Sequence, residues 1–197
     1  MLRCERLTVE RAVGIYPGVL AEDFPPEERR PLEWIRPLMD SGRYRVFELY
    51  DGELSVAYAM VVQAEGERIW LMDFFAVHAP FRDRGYGSRL LAAVRSSLPD
   101  GSVILFEVDH PGCAAGAELE KRLRRLEFYR RNGVTDTGAR TRVSGCEFEI
   151  LCCPSGALTA PDALAAIDRL YHQIMPRDFY DSEIRLRPSD GSGTSAR

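Results

Sequence analysis

An α/β (α+β) domain, with a mixed, mostly antiparallel central sheet and helices on both faces, is the fold class this sequence predicts. Three stretches predict it. In the first, "YRVFELY" and "ELSVAYAMVVQ" read as two strands about Asp51-Gly52, a dipeptide suited to a hairpin turn. In the second, the strand "RIWLMDFFAV" runs through a short loop into "FRDRGYGSRLLAAVRSSL". There Leu90, Leu91, Val94 and Leu98 make one helical stripe. In the third, "SVILFEV" is almost continuously apolar, as a strand covered on both faces should be, and the helix "AELEKRLRRLEFYRRNG" follows it.

The remaining elements complete the pattern. The first 40 residues read as helical, with loops. In "FPPEERRPLEWIRPLMDSG", Leu32, Ile35 and Leu38 recur at three-residue spacing before a stop at Gly42. The helix of residues 117–133 places Leu119, Leu123 and Leu126 on its inward stripe and ends at Gly133. "VTDTG" and "GCEFEILCC" read as strands, Phe148 and Ile150 in the second alternating with Glu147 and Glu149. Residues 161–175 form a last amphipathic helix, with Leu164, Ile167, Tyr171 and Ile174 inward. The expected organisation is one domain over residues 1–155, a helical extension packed on it over 156–187, and a Ser/Gly-rich disordered tail over 188–197.

Composition excludes several classes of function. Of the 197 residues, 45% are hydrophobic and 28% charged, which suits a well-packed soluble core. A net charge of -4 argues against nucleic acid as a partner, because neutralising phosphates takes a basic surface. The longest apolar run, Ile69 to Val77, is broken by Asp73 and too short for a bilayer, so no membrane partner is expected. Cys4, Cys113, Cys146, Cys152 and Cys153 lack metal-ligand spacing, and an odd count with a vicinal pair suits free thiols in a reducing compartment. With no apolar leader at the start, the expectation is a cytoplasmic protein without a metal.

The turn at Arg82-Asp83-Arg84-Gly85-Tyr86-Gly87 carries the chemistry. A glycine-rich turn opening a helix presents unpaired backbone N–H groups and the positive end of the helix dipole, a ready anion site. Gly85 and Gly87 let the backbone approach a phosphate closely, and Arg82 and Arg84 attract a polyanion from further away. Pyrophosphate binding is the implied chemistry. A dinucleotide fingerprint fits poorly, since Leu90 stands where the third glycine belongs. A Walker loop fits no better, Lys121 being the sole lysine.

The turn resembles the Arg/Gln-x-x-Gly-x-Gly/Ala signature of the GCN5-related N-acetyltransferase (GNAT) superfamily. "MDFFAVHAPFRDRGYGSRLL" is similar to that family's strand, loop, turn and helix in order, and "RRLEFYRRNGV" resembles its second landmark. The resemblance covers about residues 44 to 152. It departs at Arg122 and Arg125, where members often carry Asn and Ala.

The resemblance implies acetyl-CoA as cosubstrate, its pyrophosphate on residues 82–88, Ser88 included, and its pantetheine arm on the backbone of Phe75, Ala76 and Val77. One N–H there would polarise the thioester carbonyl. It also implies that Tyr129 protonates the departing thiolate. A general base must deprotonate the acceptor amine, and two carboxylates qualify. Asp73 interrupts an apolar strand in phase with Phe75 and Val77, and Glu107 ends another in phase with Asp109. His110 reads as a solvated loop residue and Cys113 as non-catalytic. The arginines of residues 121–131 read as a solvated helix face, paired as Glu118–Arg122 and Glu120–Arg124. Four carboxylates in "AEDFPPEER" would draw a cationic amine.

An N-acetyltransferase acting by direct attack in a ternary complex is thus expected, with a non-catalytic acyl-CoA-binding module as the alternative. The acceptor is a small-molecule or peptide amine. The last forty residues have three roles open to them: covering the sheet, shaping the acceptor pocket, or forming a homodimer contact.

Overall fold

The computed structural model describes residues 1–154 and 156–188. The meander forms as β2 (Tyr44–Asp51), β3 (Leu54–Gln63) and β4 (Ile69–Val77), each antiparallel to the one before. From β4 the chain passes through the glycine turn into α3 (Tyr86–Ser97) and returns as β5 (Val103–Asp109), parallel to β4. Then come α4 (Gly116–Arg131), β6 (Thr135–Val143) and β7 (Cys146–Cys153), which lies between β5 and β6. The predicted mixed sheet, mostly antiparallel, is what forms.

Two edge strands were not expected. Residues Leu2–Arg6, within the segment read as helical, form β1 beside β2. The reason is a period of two: Leu2 and Cys4 pack inward, while Arg3 and Glu5 pair outside at 2.5 Å. Helices α1 (Val9–Asp23) and α2 (Leu32–Asp40) follow β1. At the other edge, the stretch read as a helical extension contains α5 (Ala160–Ile174), α6 (Arg177–Glu183) and also a strand, β8 (Ile184–Pro188), antiparallel to β6. The sheet order is β1-β2-β3-β4-β5-β7-β6-β8. The tail from residue 189 lies outside the described residues.

Helices cover both faces. Tyr16 and Leu20 of α1, Ile35 of α2, and Ile167, Leu170 and Tyr171 of α5 bury one face, hereafter the α1/α5 face. Leu90, Leu91 and Val94 of α3 and Tyr129 of α4 bury the opposite, α3/α4 face. The α3 stripe is as predicted; that of α4 is not. Leu123 is 49% exposed, and the apolar contact is made by Leu126, Phe128 and Tyr129 at the helix's C-terminal half. Polar ties hold the N-terminal half instead: Arg122 donates to the His110 carbonyl at 2.8 Å and Arg125 pairs with Asp109 at 2.5 Å. The two positions that depart from the GNAT pattern are therefore the ones that fasten α4 to the end of β5.

Two irregularities in β4 set up the site. Met60 pairs with Phe74 but Val61 with Met72, so Asp73 is the extra residue of a β-bulge. In addition, β4 and β5 pair only from Ile69↔Val103 to Met72↔Phe106. Beyond that point β4 stays with β3 and β5 stays with β7, and the two parallel strands separate.

Candidate active site

The separation gives β4 a free edge along Phe75, Ala76 and Val77, at the C-terminal ends of two parallel strands. Open parallel sheets bind ligands in this position. The N-terminus of α3 opens at the same end, and no side chain caps it. Gly85 is its N-cap at φ +79°, and a Cβ there would meet open space, so glycine is needed for its backbone angle. Gly87 behaves differently from the expectation that it clears room for a phosphate. A Cβ on Gly87 would lie 3.2 Å from the Phe128 ring and 3.5 Å from Val77, which makes it a packing glycine between α3, α4 and β4.

The side chains of the turn are mostly engaged. Arg82 donates from Nε to the Val77 carbonyl at 3.0 Å and lies 3.2 Å from Asp23 at the end of α1. The Tyr86 hydroxyl donates to Asp51 at 2.6 Å, Arg84 rests over the Phe81 ring, and Asp83 is exposed at φ 62°. Ser88 is half-buried in the first turn of α3. What the turn leaves available is backbone N–H groups and the charge of Arg84.

Tyr129 lies on the α3/α4 face, its ring 5.0 Å from that of Phe106 and 5.3 Å from that of Phe128. Burial pushes its phenol up to about 12, with Arg125 opposing and Asp109 adding to the rise. It therefore keeps its proton at neutral pH, as a proton donor to a thiolate must.

Both candidate bases lie on the other face. Asp73 is not in phase with Phe75 and Val77, because it lies on the α1/α5 side with Leu71 and the bulge that follows shifts those two onto the α3/α4 cluster. Its oxygens are committed. Arg30 donates to Oδ1 at 2.7 Å and Tyr44 donates to Oδ2 at 2.7 Å. Burial works against the charge of Arg30, but Asp73, then Tyr171 and Glu107, outweigh it and hold the guanidinium ionised. Arg30→Met would strand a carboxylate whose side chain is 2% exposed. A loss of about 3 kcal/mol of stability in urea unfolding is expected.

Glu107 accepts a 2.8 Å hydrogen bond from Thr141 of β6. Burial raises its carboxyl above the ordinary range; Tyr171, Arg30 and Thr141 pull it back, and Asp73 adds to the rise. It alone of the two keeps an oxygen without a hydrogen bond among the described residues. Arg30, Tyr44, Thr141 and Tyr171 were not singled out from sequence as site residues. Only the break in hydrophobicity at Asp73 hinted that such partners must exist.

Other expectations change in detail. His110 is held by Glu149 at 2.9 Å and by Arg140, not simply solvated. Burial and then Glu147 raise the thiol of Cys113, consistent with an inert cysteine. Glu118–Arg122 forms at 3.4 Å, whereas no ion pair joins Glu120 to Arg124 among the described residues. No helix of the described residues is long and apolar enough to cross a membrane.

A strand pair that opens beside an uncapped helix N-terminus is an arrangement suited to an extended, anionic ligand. The chain belongs to the acetyltransferase (GNAT) family, whose model matches residues 11–134. Among solved structures it is similar to a GNAT-family protein from Bacteroides thetaiotaomicron, at 24% identity and a TM-score of 0.65, over 87% of this chain and 97% of that one. It is also similar to Arabidopsis thaliana Naa50 in complex with the bisubstrate analogue CoA-Ac-MVNAL, at 14% identity and 0.55, over 77% and 97%. A ribosomal-protein-alanine N-acetyltransferase from Brucella melitensis gives 16% and 0.53, over 76% and 98%. At these identities the structures establish a shared fold. No curated protein matches the chain.

Proposed function

We propose that this chain transfers an acetyl group from acetyl-CoA to a primary amine, by direct attack in a ternary complex. The observation that carries this reading is the β4–β5 opening, with Tyr129 on one face of the sheet and Glu107 on the other. The backbone N–H groups of the α3 N-terminus would hold the pyrophosphate, and the free edge of Phe75–Val77 the pantetheine arm. With both substrates held side by side, attack becomes effectively unimolecular.

The acceptor amine would enter from the α1/α5 face and give its proton to Glu107. Its nitrogen attacks the thioester carbonyl, whose oxygen takes the developing charge against a β4 backbone N–H. As the C–S bond breaks, the thiolate leaves towards the α3/α4 face and takes the proton of Tyr129, while the nitrogen loses its second proton to solvent as the amide forms and solvent reprotonates the tyrosine. Base and acid thus sit on opposite faces, and the opening in the sheet is where they act on one carbonyl carbon. Asp73 serves as the counter-ion of Arg30 in this scheme, not as the base.

Calorimetric titration of the full chain with acetyl-CoA, with NAD and ATP as controls, tests the donor site. Selective binding of acetyl-CoA is expected. Gly85→Val has room for its side chain but not for a φ of +79°, so it is expected to weaken that binding about tenfold or more. Equal affinity for NAD, or for the variant, would sink the donor-site assignment. Binding without thiol release on any amine in a screen would leave the non-catalytic module.

A further inference from the structure

Helix α5 lies beyond the family-matched residues 11–134, yet it delivers a tyrosine to the acceptor side of the opening. Tyr171 is fully buried, and its hydroxyl is one of three buried polar side-chain atoms, among the described residues, without a hydrogen-bond partner. A buried hydroxyl left unpaired is costly, so an acceptor should be within its reach in some working state.

The surrounding groups narrow the choice. Arg30, from the connection between α1 and α2, lies 5.9 Å from the Tyr171 ring and can only donate. Asp73 of β4 has its two oxygens taken by Arg30 and by Tyr44 of β2. Tyr16 of α1 donates to the Arg30 carbonyl, and Thr141 of β6 donates to one oxygen of Glu107. The second oxygen of Glu107 is the charged acceptor with capacity to spare.

We propose that Tyr171 is a positioning residue for Glu107: its hydroxyl donates to the free carboxylate oxygen and holds the ionised group facing the β4–β5 opening. The C-terminal segment then belongs to the acceptor side of the site as well as to the core. The electrostatics agree in direction, since Tyr171 opposes the effect of burial on Glu107, and Glu107 adds to the burial that lifts the Tyr171 phenol. Its catalytic meaning rests on Glu107 being the base, but the pairing itself does not.

The test is a carboxyl-carbon NMR titration of the full chain labelled in glutamate, with the Glu107 signal identified by its loss in Glu107→Gln. In Tyr171→Phe, which keeps the ring, the Glu107 midpoint is expected to rise by about half a pH unit or more, because a donor to the charged form is gone. Replacing Tyr171 with 3-fluorotyrosine, a more acidic phenol, should move it down. A Tyr171→Phe midpoint that coincides with the wild type, or a shift of the same sign in both variants, would overturn the proposal. Thiol release by Glu107→Gln scores the base assignment separately: undiminished turnover removes Glu107 as base while the titration still decides the pairing.

Discussion

Tyr129→Phe is expected to lower kcat by about a hundredfold or more while leaving the Kd for acetyl-CoA within a factor of about two. The hydroxyl is the only group removed, and the ring keeps its contacts with Phe106 and Phe128. A phenol raised to about 12 stays protonated across the working range. Burial weakens the phenol as an acid, and the transfer proceeds because the same apolar setting makes the departing thiolate a stronger base. Without that proton the thiolate must leave as an anion into a largely apolar pocket, which costs free energy in the transition state and nothing in the ground state. Steady-state kinetics with the best amine from a screen, beside calorimetry on the same variant, separates the two quantities. An unchanged kcat would remove Tyr129 as the acid.

Glu107→Gln should do two opposite things. Turnover is expected to fall by about a hundredfold or more, because the amide cannot accept the amine's proton. Stability is expected to rise at pH 8. The folded carboxyl titrates above its unfolded value, so its favourable contribution is complete below the unfolded value and is lost as the pH climbs through the folded one. Glutamine copies the protonated form at every pH. Thermal melts of the two proteins should therefore diverge as pH rises, with the variant the higher, and converge in acid. A variant that melts lower at pH 8 would contradict the sign. The gain in stability with loss of rate is the usual signature of a carboxylate kept in an unfavourable setting for chemistry.

Local signals made much of this molecule readable in advance. The hairpin at Asp51-Gly52, the α3 stripe and the glycine turn each depend on residues within a few positions of one another, and all three formed. The edge strands were missed because five-residue segments alternate too briefly to outweigh a helical prior, although Leu2/Cys4 and Ile184/Leu186 do alternate. Leu123 was misplaced because a stripe on a helical wheel says nothing about where the helix leaves the sheet. The site divides in the same way. The stretch proposed as its donor side is local, and its form, a glycine turn opening α3, was legible. The cluster proposed as its acceptor side joins Arg30 to Asp73 across 43 residues and brings Tyr171 from a later helix, and pairings at that separation leave no local trace.

The bulge at Asp73 separates two properties that a strand usually ties together, its length and its facing. Val61 pairs with Met72 and its neighbour Met60 with Phe74, so Asp73 is supernumerary in the ladder. Without it Leu71, Phe74 and Ala76 would still face α1, and Met72, Phe75 and Val77 would still face α3. A loss of one codon here would therefore spare the strand and its free edge, and would remove only the carboxylate that Arg30 and Tyr44 hold. A codon lost at Met72 or Phe74 instead would leave Asp73 to be absorbed into the regular ladder.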